Sequence, residues 1–275
     1  MQNFSSSPKE MVASLWRNRG LIKALTQREV VSRYRGSVMG ILWSFLNPVL
    51  MLLVFTFVFS VVLKARWGSG SGSDASTTEF ALILFAGLIV FNLFSECINR
   101  APSLILANVS YVKKVVFPLE ILPWVALGSA LFNALISIGV WLIAYLFFFG
   151  VPHITVLLLP LVFLPFLLFV MGLTWVLSSL GVYLRDIAQF IGPVTTAMMF
   201  LSPIFYPVSA LPEEYRPLML FNPLTPVIEQ TRNMLFWGKL PDMTILLVYL
   251  LAASLVAWLG FAWFQKIRKG FSDVL

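Results

Sequence analysis

Residues 121–184 decide the fold of this chain, and they read ILPWVALGSALFNALISIGVWLIAYLFFFGVPHITVLLLPLVFLPFLLFVMGLTWVLSSLGVYL. They contain no Lys, Arg, Asp or Glu, whereas one such charge at the centre of a bilayer costs about 2.5–3.5 kcal/mol on insertion scales. The stretch is too long for one helix across a hydrocarbon core of roughly 30 Å. The turn signal GVPH at 150–153 divides it, which predicts two successive transmembrane helices.

Further charge-poor gaps lie on both sides of this stretch and predict four more spans. The six predicted spans cover about 38–63, 80–100, 120–149, 154–182, 187–206 and 243–265. The chain is 59% apolar and only 11% charged, against roughly a quarter charged in soluble domains. We therefore expect an all-α integral membrane protein with six transmembrane helices, and a water-soluble globule is excluded.

The basic residues are distributed unequally between the two sides of this topology. Fourteen of the 19 Lys and Arg residues lie in the terminal segments and in the loops that share their side. Because Lys and Arg are retained in short cytoplasmic loops, both termini are predicted to be cytoplasmic. The net charge of +7 is thus a topology and anionic-lipid signal rather than a nucleic-acid signal.

Segments outside the spans have compositions of their own. In the N-terminal segment 1–35, SPKE at 7–10 is a capping box with Pro8 at the first helical position. Apolar residues then recur at helical spacing. We expect interfacial helices that anchor on anionic lipid or also form the lateral wall of a substrate path. The segments are 1–35 (amphipathic interface helices), 68–78 (flexible loop), 101–118 (connection with a short helix), 207–241 (re-entrant or surface-lying outer gate) and 266–275 (cytoplasmic tail).

Several kinds of chemistry lack their sequence signatures. No GxxxxGK[ST] phosphate loop occurs, so we do not expect this chain to hydrolyse ATP alone. One cysteine and one histidine cannot supply a disulfide, a zinc cluster or a haem ligand set. The centres of the predicted spans carry no ionisable residue, which disfavours coupling to an ion gradient. Uphill transport would then take its energy from another subunit.

Four blocks of the sequence resemble the membrane subunits of ABC-2 type transporters, in particular permeases that export O-antigen, capsular polysaccharide or teichoic acid. The blocks follow the family's order over nearly the whole chain. They are REVVSRYRGSVMGILWSFLNPVLML (28–52), FNLFSECINRAPSLILANVSYVKKVVFPLEILP (91–123), LRDIAQF (184–190) and LSPIFYPVSALPEEYRPLMLFNPLTPVIEQTRNMLFWGKLP (201–241).

This resemblance implies a transport subunit of ABC-2 (type V) exporter architecture in the bacterial inner membrane. Two copies would pair with two copies of a cytoplasmic ATPase that binds ATP and Mg²⁺, and the cargo would be a polysaccharide linked to a lipid such as undecaprenyl diphosphate. By the same analogy, a helix around 105–116 and the 184–186 loop would contact the ATPase. The residues expected there are Leu106, Asn108, Tyr111, Lys113, Lys114, Arg185 and Asp186.

Arg28, Arg33 and Arg35 stand where the first span begins, and a lipid diphosphate would need cations there. Arg forms bidentate bonds with phosphate, although anchoring of the helix end explains the same charges. Glu96 and Arg100 are four residues apart and are expected to pair on one helix face.

Two other groups of candidate residues concern the path and its outer end. Sugar faces stack on aromatic rings, so a polysaccharide path would carry aromatic side chains. The candidates are Phe55, Phe59, Phe200, Phe205 and Tyr206, each of which also fits ordinary packing. Glu229 and Arg232, three residues apart, are expected to brace an outer-gate helix.

Two alternatives stay open. The first is the same architecture exporting teichoic acid, capsule or a drug-like amphiphile. The second is a membrane enzyme acting on polyprenyl lipids, which would need paired acids at one face, whereas the acids are scattered along the sequence.

Overall fold

The computed structural model describes residues 5–37, 39–62, 77–112 and 117–275, and its regular elements there are all helical. The prediction of an all-α protein is therefore confirmed for these residues. Lys113, Lys114 and residues 68–76 of the expected flexible loop lie outside them.

Twelve α-helices follow one another in the described ranges. They are α1 (Pro8–Arg17), α2 (Arg19–Tyr34), α3 (Leu42–Phe55), α4 (Thr77–Arg100), α5 (Val109–Val112), α6 (Leu122–Phe149), α7 (Leu159–Tyr183), α8 (Ile187–Leu201), α9 (Leu218–Phe221), α10 (Thr225–Leu235), α11 (Met243–Ile267) and α12 (Phe271–Val274). Beyond its last α-helical residue, α3 continues as a π-helix over Thr56–Val62.

The apolar helices differ in length. Four helical stretches of the described chain are long and apolar enough to cross a bilayer: Thr78–Ser103, Leu119–Phe149, Ile154–Tyr183 and Met243–Val274. The apolar helices Leu42–Val58 and Ile187–Leu201 are shorter. At 15 residues, α8 rises about 22 Å, less than a hydrocarbon core of roughly 30 Å. Length and composition thus support four spans, with two shorter helices where the first and fifth spans were predicted.

Helix α4 forms the centre of the bundle. From Phe80 to Phe94 every residue is buried except Asn92, which is exposed. Trp141 of α6 donates its indole N–H to the Leu82 carbonyl at 2.8 Å. The polar group of this buried ring therefore has a hydrogen-bond partner. Between Phe80 and Phe94, the exposed surface of α4 is therefore that of the polar residue Asn92.

Helices α7 and α11 are in backbone contact. A Cβ added to Gly260 would lie 2.2 Å from the Gly172 carbonyl oxygen, and one added to Gly172 would lie 2.5 Å from that of Val256. Ala253 and Ala257 of α11 are also buried. Small residues at such spacing let transmembrane helices approach closely, and here they bring the fourth and sixth predicted spans together.

The N-terminal helices lie against this bundle. Ser7 caps α1 by accepting the Glu10 backbone N–H at 3.2 Å, as the capping box predicts. In a complete capping box the Glu10 carboxylate would accept the Ser7 backbone N–H. Here it accepts from the Arg17 side chain at 2.7 Å instead. Thr26 of α2 fills the space beside Gly128 of α6, where an added Cβ would lie 2.8 Å from its hydroxyl oxygen.

The described residues of the 101–118 connection are 101–112 and 117–118. They form short 3-10 turns and the single turn α5. The Asn108 side-chain amide donates to the Leu104 carbonyl at 2.8 Å, the acceptor that the Asn108 backbone N–H would use in an α-helix. That N–H bonds the Ile105 carbonyl instead, so local side-chain bonding keeps the segment in turns.

Candidate functional site

Four charged residues join α2 to α4, and we call Glu29, Arg33, Glu96 and Arg100 the junction. Arg33 donates to Glu96 at 2.6 Å, Arg100 pairs with Glu29, and Arg100 also lies 3.7 Å from Glu96. The predicted Glu96–Arg100 pair is confirmed, but it is part of a larger network with alternating charges. Sequence spacing could not reveal the α2 partners because they lie more than 60 positions away.

Helix α6 completes the surroundings of Arg33. Arg33 donates to the Ser129 hydroxyl at 3.1 Å, and Asn133 donates its side-chain amide to Glu96 at 2.9 Å. Burial acts to lower the pKa of Arg33, but the hydrogen bond and charge of Glu96 outweigh it and raise that pKa above its usual value. The junction therefore holds a permanent cation whose donors are oriented by three helices.

A cavity of about 640 Å³ lies beside the junction, between α3, α4 and α6, with Met199 of α8 also on its wall. We call it the groove, and its volume lies within the range of roughly 300–1,000 Å³ that ligand pockets have. Arg33 and Glu96 line one end, and Phe85, eleven residues back along α4, lines the other, about 16 Å away at 1.5 Å per residue.

The walls of the groove combine polar and apolar side chains. The polar residues are Ser44, Asn47, Asn92, Ser95, Asn133 and Ser137. Apolar side chains that include Met51, Phe55, Leu88 and Met199 cover the remainder. A groove with the Arg33–Glu96 ion pair at one end, amides and hydroxyls along it and an apolar wall has both polar and apolar surface for an amphiphile.

The three arginines predicted for a lipid head group do not share one site. Arg33 lines the groove, whereas Arg28 lines a separate cavity of about 160 Å³ with Asn108 and Tyr111. Arg35 is exposed at the C-terminal cap of α2. Because successive residues of a helix are about 100° apart, residues at this spacing face different neighbours.

The residues expected to contact an ATPase fall on two turns. Asn108 and Tyr111 share the smaller cavity with Arg28, and the Tyr111 ring stacks on Phe117 with centroids 4.2 Å apart. Leu106 is half-buried. Arg185 and Asp186 are exposed in the turn between α7 and α8.

Only part of the predicted aromatic set reaches the groove. Phe55 lines it, while the side chain of Phe59 lies outside the described residues. Phe200 and Phe205 stack on each other with centroids 5.7 Å apart, and the Tyr206 hydroxyl donates to the Phe200 carbonyl at 3.1 Å. From α8 the groove receives Met199, because the next residue along a helix points in another direction.

Arg232 has surroundings that its sequence neighbours did not indicate. It is 2% exposed and donates to the carbonyls of Ile83 at 2.9 Å and Ile204 at 2.6 Å, and also to that of Pro203. Glu229, its expected partner, is exposed. Arg232 thus ties α10 to α4 and to the chain after α8.

The buried contacts of Glu120 were not predicted from the sequence. The Glu120 carboxylate accepts from Ser14 of α1 at 3.0 Å and from Arg268 after α11 at 2.5 Å. Its backbone carbonyl accepts from the Trp175 indole at 3.1 Å. Glu120 therefore joins both ends of the chain to the start of α6, and no local pattern predicts contacts between residues so far apart.

The apolar bundle and its amphiphile-sized groove define an integral membrane protein with the features of a transport subunit. The sequence pattern of the ABC-2 type transporter family matches residues 20–236. The chain is 30% identical to the O-antigen export system permease protein RfbA of Myxococcus xanthus, over 96% of this chain and 98% of that protein. Two proteins of the same name from Klebsiella pneumoniae are 27% and 25% identical over 93% of this chain and 95% of their own length. The chain belongs to the ABC-2 type transporter family, as the resemblance implied.

Proposed function

We propose that this chain is the permease subunit of an exporter that moves a lipid-linked polysaccharide, O-antigen-like and carried on undecaprenyl diphosphate, across the bacterial inner membrane. The observation that carries the proposal is the groove, with Arg33 at one end, amides and hydroxyls along it and an apolar wall. Such a cargo has matching parts: an anionic diphosphate, sugar hydroxyls and a polyprenyl tail. The names of the relatives, all O-antigen export permeases, support the same cargo class.

The proposed energy source is a separate cytoplasmic ATPase that binds ATP and Mg²⁺. Two copies of this chain would assemble with two copies of the ATPase. Family membership supports this assembly, and so does a sequence without a GxxxxGK[ST] phosphate loop.

In the proposed topology all six apolar helices cross the membrane and both termini are cytoplasmic. The unequal distribution of Lys and Arg supports this orientation. The two shorter helices, α3 and α8, would cross with flanking residues, since the helical path of α3 runs on to Val62. Segment 207–241, with α9 and α10, would form the outer gate held by Arg232.

Binding of the diphosphate is proposed for Arg33, with Arg28 and Arg35 attracting anionic lipid nearby. The contacts of Arg33 support this division of roles, because its guanidinium is oriented inside the groove. Phe55, the one predicted path aromatic that lines the groove within the described residues, is proposed to contact the sugar.

The turns around Leu106, Asn108 and Tyr111, together with Arg185 and Asp186, are proposed to contact the ATPase. We expect charge reversal of both Lys113 and Lys114, or Tyr111→Ala, to reduce export while the chain still inserts, because these changes alter a contact surface and no span. Export and ATP hydrolysis are measured in parallel in vesicles, with Lys239→Glu as a distant control. Unchanged export in the Lys113 and Lys114 variant contradicts a docking role.

The function as a whole is tested by purifying the tagged chain from its native membranes and identifying the protein that accompanies it in equal amount. We expect an ABC ATPase. The purified pair in vesicles should hydrolyse ATP faster with glycosylated undecaprenyl diphosphate, and the chain alone should not hydrolyse ATP. Transport against a gradient by the chain alone would refute the proposal.

The same vesicles discriminate the alternatives. Stimulation by a teichoic acid precursor, a capsular glycan lipid or a drug-like amphiphile, without stimulation by the O-antigen lipid, would change the cargo class. For the enzyme alternative, the junction brings Glu29 and Glu96 to the same arginine, but both carboxylates are in ion pairs. Turnover of a polyprenyl lipid without any ATPase would favour that alternative.

A further inference from the structure

Asn92 is the exposed exception on an otherwise buried stretch of α4. It lines the groove, as does Asn47 of α3, and both side chains are exposed. An asparagine amide offers two N–H donors and a carbonyl acceptor. Within the described part of the chain, neither of these two amides has a hydrogen-bond partner in the protein, so both retain their full capacity for a ligand.

Such amides are costly in contact with hydrocarbon. An amide without a hydrogen-bond partner in an apolar medium costs several kcal/mol, and α4 is long and apolar enough to cross a bilayer. Polar residues in spans therefore face water or a polar ligand and commonly mark a substrate path. The groove is thus suited to a solute that exchanges hydrogen bonds with water for bonds to these amides.

The position of Asn92 relative to the junction defines which part of a ligand it meets. Asn92 lies one helical turn from Glu96, about 6 Å along α4, and Glu96 holds Arg33 at 2.6 Å. Ser95, between them in sequence, also lines the groove. A group bonded directly to a diphosphate at Arg33 would therefore lie beside Asn92.

We propose that Asn47 and Asn92 bind the hydroxyl groups of the sugar attached to the lipid diphosphate, so that the groove distinguishes a glycosylated carrier lipid from the bare one. This inference rests on the proposed function and adds to it a sugar-binding site. Sugar hydroxyls both donate and accept hydrogen bonds, and so do the two amides. The diphosphate itself would be held at Arg33, independently of the amides.

Binding to two probes tests the proposal. The full chain with its ATPase is placed in nanodiscs and titrated, with native mass spectrometry as the readout, with undecaprenyl diphosphate and with the same lipid carrying one N-acetylglucosamine. We expect the glycosylated probe to bind more tightly. Asn47→Leu and Asn92→Leu, which keep the branched shape of the side chain but remove the amide, should each reduce this preference about fivefold, since a hydrogen bond contributes about 1 kcal/mol.

Thr196→Val is the matched control, because this exposed α8 hydroxyl bonds the Gly192 carbonyl and does not line the groove. It should leave the preference unchanged. Equal binding of the two probes by the unmodified chain, or equal loss of both in the asparagine variants, would overturn the proposal. The proposal would also be overturned if the variant that combines Asn47→Leu with Asn92→Leu no longer formed a dimer, since the two amides would then pair between two copies of the chain. If the unmodified chain binds neither probe, the proposed function itself fails.

Discussion

Two arginines of this chain show how the same side chain serves different purposes. Arg33 lies in a network of carboxylates and hydroxyls at the edge of the groove. Arg232 is fully enclosed by carbonyl oxygens of three other residues. The side chain of Arg33 is one third exposed, whereas Arg232 is buried.

Arg33→Lys should weaken binding of undecaprenyl diphosphate by about tenfold, because a hydrogen bond to a charged group contributes roughly 1.5–3 kcal/mol and lysine cannot reproduce the planar fork of donors. Titration of the nanodisc complex with the bare lipid measures the loss. Arg35→Lys is the control, since Arg35 is exposed and lies outside the groove. Equal effects of the two changes would assign Arg33 to membrane anchoring.

Arg232→Met should destabilise the fold by roughly 1–3 kcal/mol per carbonyl left without a partner, with a lower midpoint of thermal unfolding in detergent. Glu229→Gln is the control: Glu229 lies three residues before Arg232 on the same helix but is exposed. This change should leave the midpoint nearly unchanged. A comparable loss in both variants would instead support the brace between Glu229 and Arg232 that the sequence spacing predicts.

Small residues permit the backbone contact between α7 and α11. The contact of Gly172 with Gly260 brings the backbones of α7 and α11 together. Gly181 of α7 likewise lies against the Pro102 carbonyl, which a Cβ there would approach to 2.0 Å. The 101–118 connection is thereby held against the end of α7, next to the turn that carries Arg185 and Asp186.

Gly260→Ala should destabilise the chain by about 1–3 kcal/mol, the usual cost of adding volume to a packed contact, because its Cβ would meet backbone that has no rotamer to change. Gly139→Ala in α6 is the matched control, since nothing lies within 4 Å of a Cβ there. That change should be neutral or stabilising by up to about 1 kcal/mol. Thermal unfolding of both variants in one detergent gives the comparison, and equal midpoints would contradict the close contact.

The whole molecule is closed by contacts between its ends. Glu120 connects α1 with the residues after α11 through Ser14 and Arg268, and Trp258 of α11 donates to the Ser6 carbonyl at 3.1 Å. The two ends of the described chain therefore lie on the same side of the bundle. This agrees with an even number of membrane crossings.

Cysteine labelling tests the orientation. In a Cys97→Ala background, Ser272→Cys and Leu240→Cys each place one thiol at an exposed position. A membrane-impermeant maleimide added to spheroplasts should label position 240 and spare position 272 until the membrane is opened. Labelling of position 272 from outside would reverse the topology inferred from the basic residues.

Local periodicity predicted the helical class because burial in hydrocarbon forces each backbone to satisfy its own hydrogen bonds. The i to i+4 pair of Glu96 and Arg100 was predictable for the same local reason. The 3-10 turn over Leu106–Asn108 was not predictable in this way, because there the Asn108 side chain bonds the Leu104 carbonyl. The carbonyl partners of Arg232 could not be predicted from local spacing because they lie as far away as Ile83.

The sequence by itself determined that this protein is a helical membrane transporter subunit, since apolar length, charge placement and the four family blocks are properties of contiguous residues. The tertiary structure alone decided which polar residues meet. It brought Arg33 to Glu96 and Ser129, left Asn47 and Asn92 facing one groove, and sent Phe200 away from it. The physical reason is that contacts between helices depend on the rotation and approach of whole helices, which small residues such as Gly172 and Gly260 permit and no single segment encodes.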